Sequence, residues 1–254
     1  MKLLNGKKGL ILGVANDKSI AAGCARAFFE AGAELAITYL NDSAKPFVQP
    51  VADSVNATLF EALDVEDDHA FDALFERIRQ EWGQLDFVLH SIAYCPAEDL
   101  HGRVMDCSRA GFAQAMDISV HSFLRMARHA EPLMKQGGCL LTVSYYGADK
   151  VIDHYNIMGP VKAALEATTR YMAAELGTSG IRVNALSPGP IETRAASGIA
   201  HFDTLIDEAR EQAPLRRLVT IEEVGDMAAF LVSNRARSIT GNVVFIDGGH
   251  NVMA

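Results

Sequence analysis

Cysteine is scarce in this chain. Cys24, Cys95, Cys107 and Cys139 lie far apart, with no C-x-x-C pair and no matching histidine spacing. Neither a zinc site nor a disulfide framework is expected, and a reducing cytoplasm is the natural setting. Long hydrophobic runs are lacking too: nothing approaches the roughly 20 apolar residues of a membrane span, so no membrane partner is expected. Lys2, Lys7 and Lys8 precede the apolar run 9–15 and imitate a signal peptide, but that run is short and leads straight into Asn16-Asp17-Lys18. Without a small-x-small cleavage site, a buried first strand is the expected reading. Positive charge is in deficit, with 23 Lys and Arg against 32 Asp and Glu and a formal net charge of −9. This argues against a general affinity for nucleic acid or acidic lipid. The chain also has no G-x-G-x-x-G, internal repeat, low-complexity tract or linker.

What is present is an alternation of apolar strands and helical stripes. The run at residues 9–12 leads through Gly13 to Ser19, after which Cys24, Ala27, Phe28 and Ala31 recur at helical spacing. This is a βα unit whose helix starts at Ser19, and the exposed N–H groups of such a terminus bind phosphate. Gly13 is expected to let the backbone turn tightly and Gly23 to let helix and sheet approach. Because the glycine spacing is irregular, an ordinary strand-to-helix turn is the alternative. Further strands are expected at residues 34–39, 58–63, 86–91, 140–144, 181–186 and 242–246.

Between these strands the sequence predicts a short or kinked helix carrying Pro46 and Pro50, then an amphipathic stripe of Phe71, Leu74, Phe75, Ile78 and Trp82. Long helices follow over residues 109–134 and 155–174, and Thr220-Ile221-Glu222-Glu223 is a capping box that opens another. Residues 194–217 read as an irregular helical insertion of the kind that folds over a site. The expected architecture is one α/β domain over residues 1–254, a Rossmann-type, doubly wound parallel sheet with helices on both faces.

Ligands of such sheets sit outside the carboxyl ends of the strands. Gly13, Asp64-Val65, Ser91-Ile92, Tyr145 and Ile191-Glu192-Thr193 all follow strands. No Lys or Arg occurs from Glu34 to Asp42 to receive a 2′-phosphate, which favours NADH over NADPH; Lys45 is the nearby cation that opposes this. Chemistry is expected in the stretch 144–162. If residues 155–174 form a helix, Tyr155 and Lys162 stand seven residues apart on one face. A phenol could then donate to a carbonyl oxygen with an ammonium beside it. Taken alone, the pair also fits a half-buried Tyr and a surface Lys.

The ordered segments resemble the short-chain dehydrogenase/reductase superfamily and, within it, the divergent branch of enoyl-acyl-carrier-protein reductases of bacterial fatty-acid synthesis. Ordinary members carry T-G-x-x-x-G-x-G, N-A-G after the fourth strand, and Y-x-x-x-K. Here the turn is Gly13-x5-Ser19-Ile20-Ala21-x-Gly23, the fourth strand ends His90-Ser91-Ile92-Ala93, and Met158 takes the place of the Tyr in Y-x-x-x-K, the pair being Tyr155-x6-Lys162. The resemblance covers nearly the whole chain. It implies NADH-dependent reduction of the trans-2 double bond of an enoyl thioester on acyl carrier protein. Tyr155 would hydrogen-bond the thioester carbonyl, Lys162 would hold the nicotinamide ribose, and Tyr145 would line the site where ordinary relatives have Ser.

The resemblance also implies cofactor contacts. Gly13, Ser19 and Ile20 would lie at the pyrophosphate and adjoining ribose, Leu40 at the adenosine, Asp64 and Val65 at the adenine, Ile92 at the nicotinamide ribose, and Ile191, Thr193 and Ala195 at the carboxamide. Substrate contacts would come from Cys95, Tyr145, Tyr155, Ala196, Ile199 and Phe202, with Leu205 and Ile206 adding apolar surface to a lid. Arg194, Arg210, Arg216 and Arg217 are candidates for docking the acidic carrier. The small-residue strip Gly159, Ala163 and Ala167 would serve a homotetramer, or else face the chain's own sheet. Reduction of a ketone or alcohol by the same fold, and a non-catalytic dinucleotide sensor, are the competing readings.

Overall fold

The computed structural model describes residues 2–191, 193 and 202–253, with the backbone alone at 202–205. Seven strands form one parallel sheet: β1 (Lys8–Leu12), β2 (Glu34–Tyr39), β3 (Leu59–Ala62), β4 (Phe87–His90), β5 (Gly138–Val143), β6 (Ile181–Pro188) and β7 (Val243–Ile246), in the order β3-β2-β1-β4-β5-β6-β7. Every pair is parallel, so each connection must cross a face of the sheet, and helices make those crossings. They are α1 (Ile20–Glu30), α2 (Lys45–Ser54), α3 (Asp68–Trp82), the short α4 (Ala97–Leu100), α5 (Arg109–Met116), α6 (Ser122–Ala130), α7 (Met158–Leu176), α8 (Phe202–Gln212) and α9 (Ile221–Val232). Strand order reverses between β1 and β4, which is the topological switch point of a doubly wound sheet.

The strands read as unbroken apolar runs because both faces are covered. Alternate residues serve different cores: Leu10, Leu12, Val88 and Leu140 join α3, α6 and α7 on one face. Ile11, Leu89 and Leu141 join α1, α2 and α9 on the other. Strand ends are trimmed or extended by a residue or two from expectation, and α2 does carry Pro46 at its start and Pro50 inside.

Two sequence expectations need correction. Gly23 does not bring its helix to the sheet. A Cβ there would overlap the Ile221 carbonyl, and one at Gly225 would stand 2.6 Å from the Gly23 carbonyl oxygen, so the glycines let α1 and α9 touch. The helix expected over 109–134 is not uniform either: a π-helical turn, Asp117–His121, separates α5 from α6. That wider turn puts Ser119 Oγ within 3.0 Å of the Tyr94 N–H and 3.2 Å of its carbonyl, anchoring the loop after β4.

Beside it, buried His90 bridges the sheet to α6. Ser122 Oγ spends its proton on the Ile118 carbonyl at 2.6 Å, so His90 Nε2 must donate to Ser122 Oγ at 2.8 Å, leaving Nδ1 to accept from Thr142 Oγ1 at 3.2 Å. Burial holds this imidazole neutral, down to about 3.

Candidate active site

The carboxyl edge of the sheet gathers the site. At Gly13, φ is 93° and a Cβ would overlap the Ser91 carbonyl, so the turn after β1 closes directly on the end of β4. Ser19 caps α1, its Oγ accepting from the Ala22 N–H at 3.3 Å, and the first turn of α1 holds no acidic residue. A glycine turn closed on a strand end, followed by a helix start with no carboxylate in its first turn, fits a dinucleotide pyrophosphate. Asp64 is exposed, its Oδ1 accepting from the Glu66 N–H at 3.0 Å, and Val65 is buried beside it. Leu40, at 52% exposure, offers an apolar surface past the end of β2, and Lys45 Nζ lies 5.2 Å from the Tyr39 ring centroid.

Arg125 was not anticipated from the sequence. Its guanidinium reaches the Val65 carbonyl, pairs with Asp68 at 2.7 Å and Asp117 at 3.4 Å, and lies over Phe71, so α6 holds the loop after β3 in place. Nothing local in the sequence signals this, because Asp68 and Val65 lie 57 and 60 residues away.

Tyr155 is not on α7, contrary to the expected helix over residues 155–174. His154 (φ 63°) and Asn156 (φ 45°) both adopt the left-handed region, so the chain makes a turn and the helix begins at Met158. Asn156 Nδ2 donates to the Leu100 carbonyl at 2.7 Å, which anchors the turn. Tyr155 thus approaches from in front of α7, and Lys162 from its second turn. Tyr155 is 7% exposed, its ring centroid 4.9 Å from that of Tyr145 with the planes at 65°. A Cβ on Gly147 would stand 2.5 Å from the Tyr155 ring, so this glycine makes the ring's seat.

Burial first, then Tyr145 and Glu166, push the Tyr155 phenol well above the ordinary tyrosine range. Burial likewise pushes Tyr145 up to about 12. Both are neutral hydroxyls at neutral pH, and each can donate a hydrogen bond. Ile92, Cys95 and Tyr145 pack on the apolar cluster that contains Tyr155 and Met158. Tyr145 and Gly147, from the segment after β5, are the neighbours that touch the Tyr155 ring.

Lys162 is no surface lysine. It is 5% exposed, Nζ donates to the Val143 carbonyl at 2.6 Å, and burial brings its pKa down to about 8 against the opposing influence of Glu166. One turn further along α7, Glu166 accepts from Ser144 Oγ at 2.6 Å. The only trace of this pair in the sequence is the four-residue step from Lys162 to Glu166.

Ile191 packs on the α1 side of the sheet, and the Thr193 N–H donates to its carbonyl at 2.8 Å. Ala195, Ala196, Ile199 and Arg194 lie outside the described residues, as do the side chains of Phe202 and Leu205. Within the expected insertion, Ile206 is buried. Arg210 pairs with Asp207 at 2.8 Å, Arg216 reaches the Glu211 carbonyl, and Arg217 grips Glu223 at 2.6 and 2.9 Å. These three arginines are engaged within the chain, which weakens the case for a carrier-docking patch. The strip on α7 starts against the chain itself, since a Cβ on Gly159 would stand 3.1 Å from the Gly147 carbonyl oxygen.

Residues 13–251 match the family model described as Enoyl-(Acyl carrier protein) reductase. The chain belongs to this family. It is 49% identical over 251 residues to Enoyl-[acyl-carrier-protein] reductase [NADH] 1 of Rhizobium meliloti, covering 99% of this chain and 92% of the relative. Among solved structures, the reductase of Anaplasma phagocytophilum in complex with NAD matches with a TM-score of 0.96 and 47% identity, over 99% of this chain and 96% of that one. The Bacillus cereus reductase with NADP+ and indole naphthyridinone matches with a TM-score of 0.97 and 44% identity, over the full length of both. The fold is therefore that of the family from end to end, and the expected Rossmann-type sheet is borne out.

The seat of Tyr155 gives a direct test of the geometry. Gly147→Ala should displace the phenol, lowering kcat by about tenfold or more while NADH affinity stays within about twofold, since a shift of roughly 1 Å at a reacting group costs up to about a hundredfold. Steady-state kinetics with parallel NADH titrations read this. Unchanged kcat would show that the ring does not need that seat.

Proposed function

We propose that this chain catalyses the NADH-dependent reduction of the trans-2 double bond of enoyl thioesters carried on acyl carrier protein, in bacterial-type fatty-acid elongation. The observation that carries the reading is a buried, neutral Tyr155 facing Tyr145 on the same sheet edge as the Gly13 turn. The relatives' activity supports it. Gly13, Ser19 and Ile20 would hold the pyrophosphate and adjoining ribose, Asp64, Val65 and Leu40 the adenosine, Ile92 and Lys162 the nicotinamide ribose, and Ile191, Thr193 and Ala195 the carboxamide. Absence of a cation on β2 supports NADH as the partner.

NADH, when bound, supplies the hydride that adds to the β-carbon. The thioester oxygen then gathers negative charge as an enolate, and a proton taken up from water at the α-carbon completes the reduction. Tyr155 donates a hydrogen bond to that oxygen, and its raised pKa keeps the proton on the phenol. A donor so placed is typically worth about 2.7–4 kcal/mol of barrier. Tyr145 walls the other side of the phenol and, with Cys95, gives the acyl group apolar contact. Lys162 fixes the ribose through its ammonium. The insertion over 194–217 would complete the wall with Ala196, Ile199 and Phe202, within one domain. A ketone reductase would need its acid at position 158, where Met158 stands.

The four cysteines are all free, which supports a reducing, cytoplasmic setting. Among the described residues no helix is long and apolar enough to cross a membrane. A homotetramer is part of the proposal. A groove of about 430 Å³ runs between α5, α6 and α7, lined by Met116, Val120, Leu124 and Ala164, and Phe112 and Tyr171 are 46% and 74% exposed. This face, beside the strip Gly159, Ala163 and Ala167, is where a second copy would sit. Light scattering should give the mass of four chains, reduced by Leu124→Glu; a wild-type monomer would contradict the assembly.

Two substitutions separate the assigned roles. Tyr155→Phe should lower kcat on crotonyl or dodecenoyl thioesters roughly 10²–10³-fold with NADH affinity kept, whereas Lys162→Ala should chiefly weaken NADH binding. Oxidation of NADH followed spectrophotometrically, with ketones as controls, reads both. Wild-type kcat in Tyr155→Phe, or faster turnover of ketones by the native enzyme, would overturn the reading.

A further inference from the structure

The end of β5 and the second and third turns of α7 are joined by two rungs of opposite sense. At one, the Lys162 ammonium donates to the Val143 carbonyl at 2.6 Å. At the next, Ser144 Oγ donates to the Glu166 carboxylate at 2.6 Å. Ser144 is 2% exposed and its own N–H is held by the Leu186 carbonyl at 2.7 Å, so the hydroxyl starts from a fixed point. Ser144 is followed directly by Tyr145, whose ring abuts Tyr155. A buried ammonium facing a neutral carbonyl is poorly compensated. Glu166, one turn further along α7, makes no direct ion pair with Lys162, yet its charge favours the ammonium, and the Ser144 bond fixes where that charge sits.

We propose that Glu166, held by Ser144, is a positioning residue that sets where the Lys162 ammonium and the Tyr145 ring stand relative to Tyr155. The inference rests on the assignment of Lys162 to the cofactor ribose. Glu166 itself does not need to touch substrate or cofactor. After the larger effect of burial, its charge acts to raise both the Tyr155 and the Lys162 pKa.

The other groups bearing on this corner leave Glu166 as the decisive one. His90 at the end of β4 is buried and neutral, and Tyr145 and Tyr155 are neutral. Asp149, exposed after the turn, and Arg170, on the exposed side of α7, act on Glu166 with opposite sign. Burial raises the Glu166 carboxyl above its ordinary value, and the Ser144 bond works against that rise. Lys162 is charged below about 8 and neutral above it, so a carboxylate nearby extends its charged range toward alkaline pH.

The test is NADH affinity as a function of pH, by fluorescence titration of the full-length enzyme, together with kcat. In the wild type, binding should weaken as pH rises through about 8. Glu166→Gln should move that weakening roughly one unit toward acid. Ser144→Ala, which leaves the carboxylate but frees it, should lower kcat roughly tenfold with a smaller acid shift. Lys162→Ala is the control and should give a flat profile. A flat Lys162→Ala profile with an unmoved Glu166→Gln profile and wild-type kcat in Ser144→Ala overturns the role of Glu166 alone. A wild-type inflection that persists in Lys162→Ala overturns the assignment of Lys162, and this inference with it.

Discussion

A lysine ammonium taken out of water must be compensated or it loses its proton, and Lys162 is 5% exposed. Much of the local structure follows from that cost. The Val143 carbonyl can face it because β5 ends at Val143, so that its last carbonyl is free to turn toward α7. Glu166 can serve it because α7 keeps its register through both residues. Ser144 can hold Glu166 because the neighbouring strand β6 fixes its backbone. The ammonium is thus supported by one helix and one strand end, and the strand end leads straight into Tyr145.

The phenol of Tyr155 poses the opposite problem. It must be dry enough to stay protonated yet free to meet a substrate oxygen. A helical position would tie its direction to the helix axis. The turn through His154 and Asn156 instead delivers it from outside, against Gly147 and Tyr145. Two non-glycine residues at positive φ are costly, at about 1–3 kcal/mol each, and the Asn156 bond to Leu100 offsets part of that cost. Local strain beside a proposed catalytic group fits the usual placement of such strain.

How far the sequence could be read depends on the range of the interactions. The strands were plain because parallel strands covered on both faces must be apolar throughout, as at Leu10-Ile11-Leu12. Ser19 and the Thr220–Glu223 capping box were plain because a cap is satisfied within four residues. The true neighbour of Gly23 is not legible in the sequence, because α9, which it touches, lies about 200 residues further along and no local pattern points to it. The seven-residue step from Tyr155 to Lys162 reads as one helix face, and the preference of His154 and Asn156 for the left-handed region, though real, is too weak by itself to break that reading. Arg125 and the Ser144–Glu166 pair are tertiary contacts between polar residues that read, one by one, as solvated surface. The site assignments for the cofactor came from resemblance, and the structure adds the Gly13 closure and the acid-free start of α1 as physical support for them.

The chemistry at this sheet edge depends most on Tyr155 being a neutral donor in an apolar seat. A spectroscopic titration of phenolate absorbance, comparing the wild type with Tyr155→Phe, addresses this directly. Through the ordinary tyrosine range near about 10, the two proteins should gain the same number of phenolates, because Tyr155 keeps its proton. One additional phenolate in the wild type within or below that range would contradict the account.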